Sequence, residues 1–473
     1  MNKLSDAISI ALSHRLDDIK TKKAIDYLTR EIQSDLFSAM YSDEIKTQIL
    51  CVLGYFYGKR YNYKESVKWL HRLQKTQSNI YMYETWHLFC KTLFPLFPNN
   101  QQEEHNIIQE LTNNMDAILQ KPRLYMSNIL ALNQSFYFAY IDTNPKTLYE
   151  RYAQIQIKAF PSVYNRNLVT YTKPDTANKK PITLGVISEG LIPRQFVNQH
   201  SIHSSSISDS FYPTLLGLPK DKFKVIFIYY GKENNKSQST NNNSDIYISN
   251  LQPLPESIRC AQDKIASLNL DMLLFLDMHI ESSLNWIGLS KLARIQMCTH
   301  GHPVTSGIPR HIMNYFISWE RAETKRAQDY YTETLALIPK DHVWEHFVPR
   351  NSVEKKSMLT GQYWGDITRE RLKDVVSEIL DTESHWYFCA QASFKLNYQF
   401  DQIISSILQK DPKAQIILIK NESQLYSMHS QYKNRLVSNK IDISRIVFVE
   451  KMKQTRSLCA LSQTRSIYTL SQT

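Results

Sequence analysis

One short segment concentrates side chains that could hold a phosphate or a sugar acceptor. It follows a predicted strand at 294–299 and reads Gly301-His302-Pro303-Val304-Thr305-Ser306-Gly307. The glycine and proline at its start are typical of a tight turn, and its two hydroxyls can donate hydrogen bonds to a phosphate or to an acceptor backbone. The candidate donor- or phosphate-binding residues of this segment are therefore Gly301, His302, Thr305 and Ser306.

Three histidines also follow predicted strands and are candidate catalytic residues. His200 and His203 lie among serines after the strand predicted at 182–187, and His279 follows the strand predicted at 272–276. Histidine suits proton transfer because its unperturbed pKa lies near neutral pH. The carboxylate of Asp277 beside His279 would raise the pKa of that histidine. Each has an ordinary alternative: a helix cap or surface group for His200 and His203, and a satisfied polar pair at a strand end for His279.

A single lysine, Lys395, is the candidate for contact with a leaving diphosphate. It stands in Phe394-Lys395-Leu396-Asn397, after a strand predicted at 386–391. A cation there could stabilise the negative charge that builds on the leaving oxygens. Taken alone, a lysine in a strand–helix loop is usually a surface residue. The sequence contains no Asp-x-Asp that would hold a metal against a diphosphate, so no metal or other cofactor is expected.

The elements that must position these groups change character along the chain. Residues 1–160 are predicted to be α-helical because apolar residues recur every three or four positions. One helix pair within them has tetratricopeptide-like spacing at Leu53, Gly54, Tyr57, Ser66 and Leu70, with ordinary core packing as the alternative. Residues 161–181 form a linker. The domains 182–350 and 351–473 alternate strands with helices, which predicts an α/β fold with two Rossmann-like domains. Strands are predicted at 182–187, 224–230, 272–276, 294–299, 315–319, 334–338, 386–391, 415–419 and 445–449.

Composition narrows the class of protein and its partners. The 473 residues are 42% hydrophobic and 11% aromatic, which excludes global disorder. The net charge of +11 is spread along the chain without a basic run, so nucleic acid is not predicted as a partner. The six widely spaced cysteines favour free thiols in a reducing compartment. The polar N-terminus and the absence of an 18-residue apolar run predict a cytoplasmic protein without membrane insertion.

The order of these motifs resembles the catalytic region of nucleotide-sugar protein glycosyltransferases, the O-GlcNAc transferase, SPINDLY and bacterial adhesin N-glucosyltransferase types. The similarity rests on the segment 301–307, on Tyr331-Thr332-Glu333-x-Leu335 and on Lys395. It implies a GT-B-type glycosyltransferase that moves a hexose or N-acetylhexosamine from a UDP-sugar to a protein or peptide acceptor. It also implies an acceptor-side role for His200, with His203 less closely matched, and a diphosphate contact for Lys395. His279 stands where the relatives have an amide.

The C-terminal sequence departs from that family. A nine-residue unit beginning Gln454-Thr455-Arg456-Ser457 repeats at Gln463 in place of the family's fourth strand and donor-binding loop. A truncated second domain with three strands is therefore expected, and the open edge of strand 386–391 would favour self-association. Transfer activity would then be weak or lost. The alternative function is a non-catalytic, helical-repeat interaction scaffold with a degenerate glycosyltransferase body.

Overall fold

The structure is a computed structural model, and it describes a large part of the chain. The described residues are 2–12, 19–34, 40–59, 63–73, 80–124, 126, 135–166, 168–169, 181–191, 206–231, 246–249, 255–280, 282–302, 304–342, 384–389, 391–420, 426–450 and 467–469. They include residues of every strand predicted above.

The chain divides into two compact units, and each contains one parallel β-sheet. The first-sheet unit consists of Thr112–Ala139 and Thr143–Pro349. The second-sheet unit consists of Met1–Leu111, Tyr140–Asp142 and Arg350–Thr473. The helical region 1–160 is therefore shared between the two units.

The first sheet has seven parallel strands in the order β3-β2-β1-β4-β5-β6-β7. They are β1 (Ile182–Ser188), β2 (Phe223–Gly231), β3 (Ile246–Ser249), β4 (Met272–Phe275), β5 (Ile295–Thr299), β6 (Tyr315–Trp319) and β7 (Thr334–Ile338). From β1 the chain moves outward to β3 and then returns to β4 on the other side of β1. The strand order therefore reverses between β1 and β4, which makes their carboxyl ends the switch point of the sheet. The short strand β3 is the one element of this sheet that the sequence did not predict.

Both faces of the central strands are covered, which explains their lack of polar alternation. The strand β1 is buried from Leu184 to Ser188. Val186, Phe227 and Leu274 from three neighbouring strands share one hydrophobic cluster. Full burial of one such side chain stabilises the fold by roughly 1.5–3 kcal/mol. The pairing of Val186 with Leu274 sets the register that brings the ends of β1 and β4 side by side.

The second sheet corrects one prediction. It has four parallel strands in the order β10-β9-β8-β11, where three were expected. They are β8 (His385–Cys389), β9 (Ala414–Lys420), β10 (Ile446–Glu450) and β11 (Ile467–Thr469). The last strand comes from the repeated tail, and Ile467 pairs with Trp386 while Thr469 pairs with Phe388. The edge of β8 that was predicted to be open is therefore paired with β11. Self-association of the chain stays a prediction.

The α-helices of the described residues cover the sheets and form most of the N-terminal region. They are α1 (Asn2–Leu12), α2 (Ile19–Gln33), α3 (Asp43–Lys59), α4 (Tyr63–Leu73), α5 (Ile80–Lys91), α6 (Gln101–Gln120), α7 (Lys146–Ala159), α8 (Ser206–Leu216), α9 (Pro255–Ala266), α10 (Ser282–Gly288), α11 (Tyr398–Lys410) and α12 (Tyr426–Ser438). None of the helices in the described part of the chain is long and apolar enough to cross a membrane.

The helix pair with tetratricopeptide-like spacing is α3 and α4. The hydroxyl of Ser66 donates to the carbonyl oxygen of Gly54 at 2.8 Å, so both small residues lie at the contact between the helices. A Cβ atom on Gly54 would lie 3.8 Å from the Cβ of Trp69, which is ordinary van der Waals contact. The pair is a close helix–helix contact, and a tetratricopeptide architecture stays a prediction.

Candidate functional site

The fold places a candidate site at the carboxyl ends of β1 and β4, because ligands of doubly wound sheets bind outside the switch point. Ser188 ends β1 and Asp277 follows β4. The Ser188 hydroxyl donates to Oδ2 of Asp277 at 2.8 Å, and the backbone N–H of Gly190 donates to the Ser188 hydroxyl at 2.8 Å. Both Ser188 and Asp277 are buried. These hydrogen bonds join the carboxyl end of β1 to the residue that follows β4.

Two of the predicted catalytic residues, His200 and His203, lie outside the described residues. They belong to the connection that leaves β1 and reaches α8, and 192–205 are not described. In a parallel sheet this connection starts at the carboxyl edge, the edge at which Asp277 and His279 lie. The candidate roles of His200 and His203 therefore stay predictions.

His279, the third predicted catalytic residue, is held by hydrogen bonds on its backbone N–H and on both ring nitrogens. Its backbone N–H donates to Oδ1 of Asn285 at 2.8 Å, and its Nδ1 lies 2.9 Å from Nδ2 of the same residue. Nδ1 also lies 3.0 Å from the Ser135 hydroxyl, and Nε2 lies 3.1 Å from the Thr305 carbonyl oxygen. A carbonyl oxygen can only accept, so the network assigns the proton to Nε2 and makes Nδ1 the acceptor. His279 thus joins the strand end, Ser135 and the loop after β5.

The environment of His279 lowers its basicity, in contrast to the expected effect of Asp277. Burial lowers the pKa of His279 to about 4, against the opposing effect of its hydrogen bond to Thr305. The Asp277 carboxylate accepts hydrogen bonds from Ser188 and Gly190, and the predicted rise in the pKa of His279 is not observed. The backbone φ of His279 is +67°, in the left-handed region that few non-glycine residues adopt. These features make His279 a neutral residue that positions its neighbours.

Aromatic rings pack around this histidine. The ring of Tyr149 from α7 lies 4.4 Å from the His279 ring, centroid to centroid. The buried ring of His302 lies 6.0 Å from His279 and stacks on Phe136 at 4.7 Å. The Tyr149 hydroxyl donates to the carbonyl oxygen of Ser135 at 2.9 Å. The candidate donor-binding residue His302 therefore lies inside a packed aromatic cluster.

The hydroxyls of Thr305 and Ser306 are directed to Glu333, which precedes β7. Thr305 Oγ1 donates to Oε2 of Glu333 at 2.7 Å, and the Ser306 backbone N–H donates to Oε1 at 2.8 Å. The Ser306 hydroxyl donates to the same Oε1. All three residues are buried, and the Glu333 carboxylate is completely so. Both hydroxyls predicted to contact a phosphate are engaged in this internal network.

Two glycines allow this loop to approach its neighbours closely. A Cβ atom on Gly301 would lie 2.2 Å from the carbonyl oxygen of Leu276, at the end of β4. A Cβ atom on Gly307 would lie 2.3 Å from the backbone of Tyr149, and the φ of Gly307 is +71°. Only glycine fits both positions without displacement. Gly301 thus shapes the sheet edge, and Gly307 seats the loop on α7.

One further histidine at this edge, His300, was not among the predicted site residues. His300 follows β5 directly and is partly exposed. Its Nδ1 lies 3.1 Å from Thr299 Oγ1, which donates to the carbonyl oxygen of Ile317, so Nδ1 of His300 is the donor in that pair. The ring of Phe211 lies 5.3 Å from that of His300. Its place directly after a predicted strand was the available signal.

Lys395 lies in the second-sheet unit, in a 3₁₀ turn, Ser393–Lys395, that follows β8. The chain order reverses between β8 and β11, so this turn follows the switch point of the second sheet. The ammonium group lies 5.9 Å from the centre of the Tyr140 ring, and burial lowers the pKa of Lys395. The Tyr140 ring in turn lies 5.2 Å from Phe394. A half-buried cation beside aromatic rings interacts more strongly with an anion than a fully solvated one does.

No metal centre is evident in the described part of the chain. Among those residues, no group of three or more His, Cys, Asp or Glu side chains could hold a metal ion.

Comparison with known proteins gives a likeness of fold. No protein-family model and no curated protein matches the chain. Among solved structures, the chain is similar to a mutant of the O-GlcNAc transferase of Thermobaculum terrenum, with a TM-score of 0.53 and 14% identity. The match covers 97% of this chain and 76% of that chain. Two structures of Haemophilus influenzae LpoA are superimposed with TM-scores of 0.18 and 0.19 at 11% and 10% identity, values too low to carry an argument. The parallel sheets and the first likeness together indicate a glycosyltransferase-like fold with Rossmann-like domains.

Proposed function

We propose that this protein is a glycosyltransferase that moves a hexose or N-acetylhexosamine from a UDP-sugar to a side chain of a protein acceptor. The observation that carries the proposal is the fold likeness to an O-GlcNAc transferase across 97% of the chain. It is supported by the order of motifs from Gly301 to Lys395, which resembles that of protein glycosyltransferases.

In this proposal Lys395 stabilises the leaving diphosphate. Departure of the nucleotide leaves negative charge on phosphate oxygens, and a preorganised cation stabilises that charge more in the transition state than in the ground state. Binding of an anion would also offset the unfavourable burial of the Lys395 ammonium group. Because the lysine supplies the positive charge, we expect the reaction to proceed without a metal ion, and the chelator EDTA is expected to leave the rate unchanged.

The groups at the edge of the first sheet would divide into chemical and positioning roles. His200 is proposed as the group on the acceptor side, with His203 as its neighbour. His279 is proposed as a positioning residue, because a neutral, hydrogen-bonded imidazole with a pKa of about 4 is a weak base. Its bonds to Ser135 and Thr305 hold the loop that forms the sheet edge.

The test is release of UDP from a panel of UDP-sugars in the presence of a peptide library. We expect acceptor-dependent release by the intact protein. In the Lys395→Ala variant the rate should fall by at least about tenfold, since one group that stabilises developing charge is typically worth about 10²–10³ in rate. Lys433→Ala is the matched control, because Lys433 is exposed on α12 of the same unit. Equal rates in Lys395→Ala and Lys433→Ala would remove Lys395 from the diphosphate role.

A second candidate function is a non-catalytic interaction scaffold, and one observation favours it. The hydroxyls of Thr305 and Ser306 and the imidazole of His279 are committed to internal hydrogen bonds. A binding protein that had retained only the framework of a transferase would have the same arrangement. Failure of the folded protein to bind any UDP-sugar or UDP would support this function over transfer.

A further inference from the structure

The second-sheet unit contains a groove that the proposed transfer reaction does not use. It lies between the start of α6 and one face of α11, and its volume is about 950 Å³. Ligand sites in proteins typically enclose about 300–1,000 Å³. The groove is therefore large enough for a ligand of several rings.

Two helix faces supply the walls. Tyr398, Gln402, Ser405 and Gln409 lie four, three and four positions apart on α11, which places them on one side of that helix. The opposite wall comes from residues 100–105 at the start of α6. It is formed by Asn100, Gln101, Gln102 and His105. The side chains of Gln402, Gln409, Gln101 and Gln102 are exposed at the groove. The walls are thus mainly carboxamides and hydroxyls.

The floor of the groove carries a charge that is already neutralised. Asp401 is the one carboxylate among the described lining residues. Its Oδ1 lies 2.8 Å from Nη2 of Arg435, and the side chains of this pair are 2% and 1% exposed. Asn439 Nδ2 donates to Oδ2 of the same carboxylate at 2.9 Å. Because the charges of Asp401 and Arg435 neutralise each other, this part of the groove would attract neither an anion nor a cation.

A neutral ligand with many hydroxyls fits this lining best. Each carboxamide can both donate and accept hydrogen bonds, and so can each sugar hydroxyl, so the two kinds of group can satisfy one another. An extended peptide would need pockets for alternate side chains. The apolar residues that could form them, Ile403 and Ile407, line a neighbouring depression instead.

We propose that the groove between α6 and α11 binds a neutral oligosaccharide through the carboxamides of Gln402 and Gln409. This inference does not depend on the transfer reaction proposed above.

The test is calorimetric titration of the full chain with neutral tetrasaccharides of glucose, galactose or N-acetylglucosamine. We expect saturable binding of at least one of them. In the double variant Gln402→Leu/Gln409→Leu the dissociation constant should be about tenfold higher or more. Each lost hydrogen bond to a neutral ligand costs about 0.5–1.5 kcal/mol, and a tenfold change in affinity corresponds to about 1.4 kcal/mol. Leucine has a helix propensity similar to that of glutamine, so α11 should be retained. Gln33→Leu is the control, because Gln33 is exposed at the end of α2 and does not line the groove.

Hydrogen exchange of the wild-type chain gives a second readout that does not depend on a variant. Bound tetrasaccharide should slow exchange of backbone amides in 101–105 and 398–410. Absence of binding by every tetrasaccharide, or equal affinity in the double variant and the wild type, would overturn the proposal. Binding of a peptide library that is lost in Ile403→Asp and kept in the double variant would also overturn it and would assign the surface to a peptide.

Discussion

At the scale of single residues, His279 has the most constrained environment of the predicted site residues that the structure describes. Its Nδ1 faces two groups that donate, the Asn285 carboxamide and the Ser135 hydroxyl. Protonation would replace the acceptor at Nδ1 with a donor and would place a charge in a buried site. The neutral form is therefore part of the folded state, and this has a consequence for stability.

We predict that the free energy of unfolding decreases as the pH is lowered, because His279 is neutral in the folded chain. The pKa of His279 is about 4 in the folded chain, against an ordinary value of 6.5, so between these values the unfolded chain binds more protons. The contribution is complete above pH 6.5 and is lost as the pH falls toward 4. Since one pKa unit corresponds to about 1.4 kcal/mol, the full loss is on the order of 3 kcal/mol. The check is the midpoint of thermal unfolding between these pH values.

The variant His279→Gln isolates this effect. Glutamine does not titrate, so the decline of the midpoint with acid should become shallower than in the wild type. His342→Gln serves as the control, because it makes the same substitution at an exposed histidine of the same unit. A decline of equal steepness in all three proteins would contradict the assignment of a buried neutral imidazole.

Gly307 yields a second prediction at this scale. Alanine at this position would need the left-handed conformation and would place a Cβ atom 2.3 Å from the backbone of Tyr149. The conformation alone costs about 1–2 kcal/mol, and the clash adds to it. We expect a clear fall in the unfolding midpoint for Gly307→Ala. The matched control is Gly54→Ala, whose nearest contacts are 3.8 Å away and which should be neutral or slightly stabilising.

At the scale of elements, the carboxylate of Glu333 joins the start of β7 to the loop after β5. It accepts from Thr305 and from both the backbone and side chain of Ser306. In Glu333→Gln an amide N–H₂ would face one or more of these donors, so at least one buried hydrogen bond would be lost. We expect a destabilisation of about 1–3 kcal/mol. Glu320→Gln is the control, because Glu320 is exposed and accepts from one backbone N–H. Equal midpoints for the two variants would contradict this role.

The helices α11 and α12 depend on the ion pair of Asp401 with Arg435 in the same way. Arg435 also donates to the carbonyl oxygen of Leu396, which holds the turn containing Lys395 against α12. Removing one partner of a buried pair costs about 3–5 kcal/mol because the other charge is left unpaired. We expect Arg435→Met to destabilise the second-sheet unit by this amount, and the double variant Asp401→Leu/Arg435→Met to recover part of the loss. The control Arg259→Met removes an exposed ion pair with Glu256, which is worth about 0–1 kcal/mol.

At the scale of the whole molecule, the sequence predicted the sheets better than the site. Continuous apolar runs marked nine of the strands because a parallel sheet buries both faces. The two short strands that were missed, Ile246–Ser249 and Ile467–Thr469, depend on pairing with longer neighbours rather than on local pattern. The sequence marked Gly301 as a turn residue. Glycine is needed there because a Cβ atom would clash with the carbonyl oxygen of Leu276, a residue distant in sequence.

The side-chain roles were harder to predict because they depend on tertiary partners. Adjacent sequence suggested that Asp277 acts on His279, whereas Asp277 is engaged by Ser188 and His279 by Ser135, which lies 144 positions away. The division of the helical region between two units likewise depends on contacts between elements distant in sequence, which the spacing of apolar residues within one helix does not predict. Motif order identified the edge of the sheet, and only the fold identified which groups there are committed to internal bonds.

The central claim is that the protein binds a nucleotide sugar, and the most direct test is calorimetric titration of the full chain with UDP. We predict saturable binding that weakens by at least about tenfold in Lys395→Ala, as expected for loss of a charged contact worth about 1.5–3 kcal/mol, and that is unchanged in Lys433→Ala. Absence of binding by the folded wild-type protein, or equal affinity in Lys395→Ala, would contradict the proposed donor site.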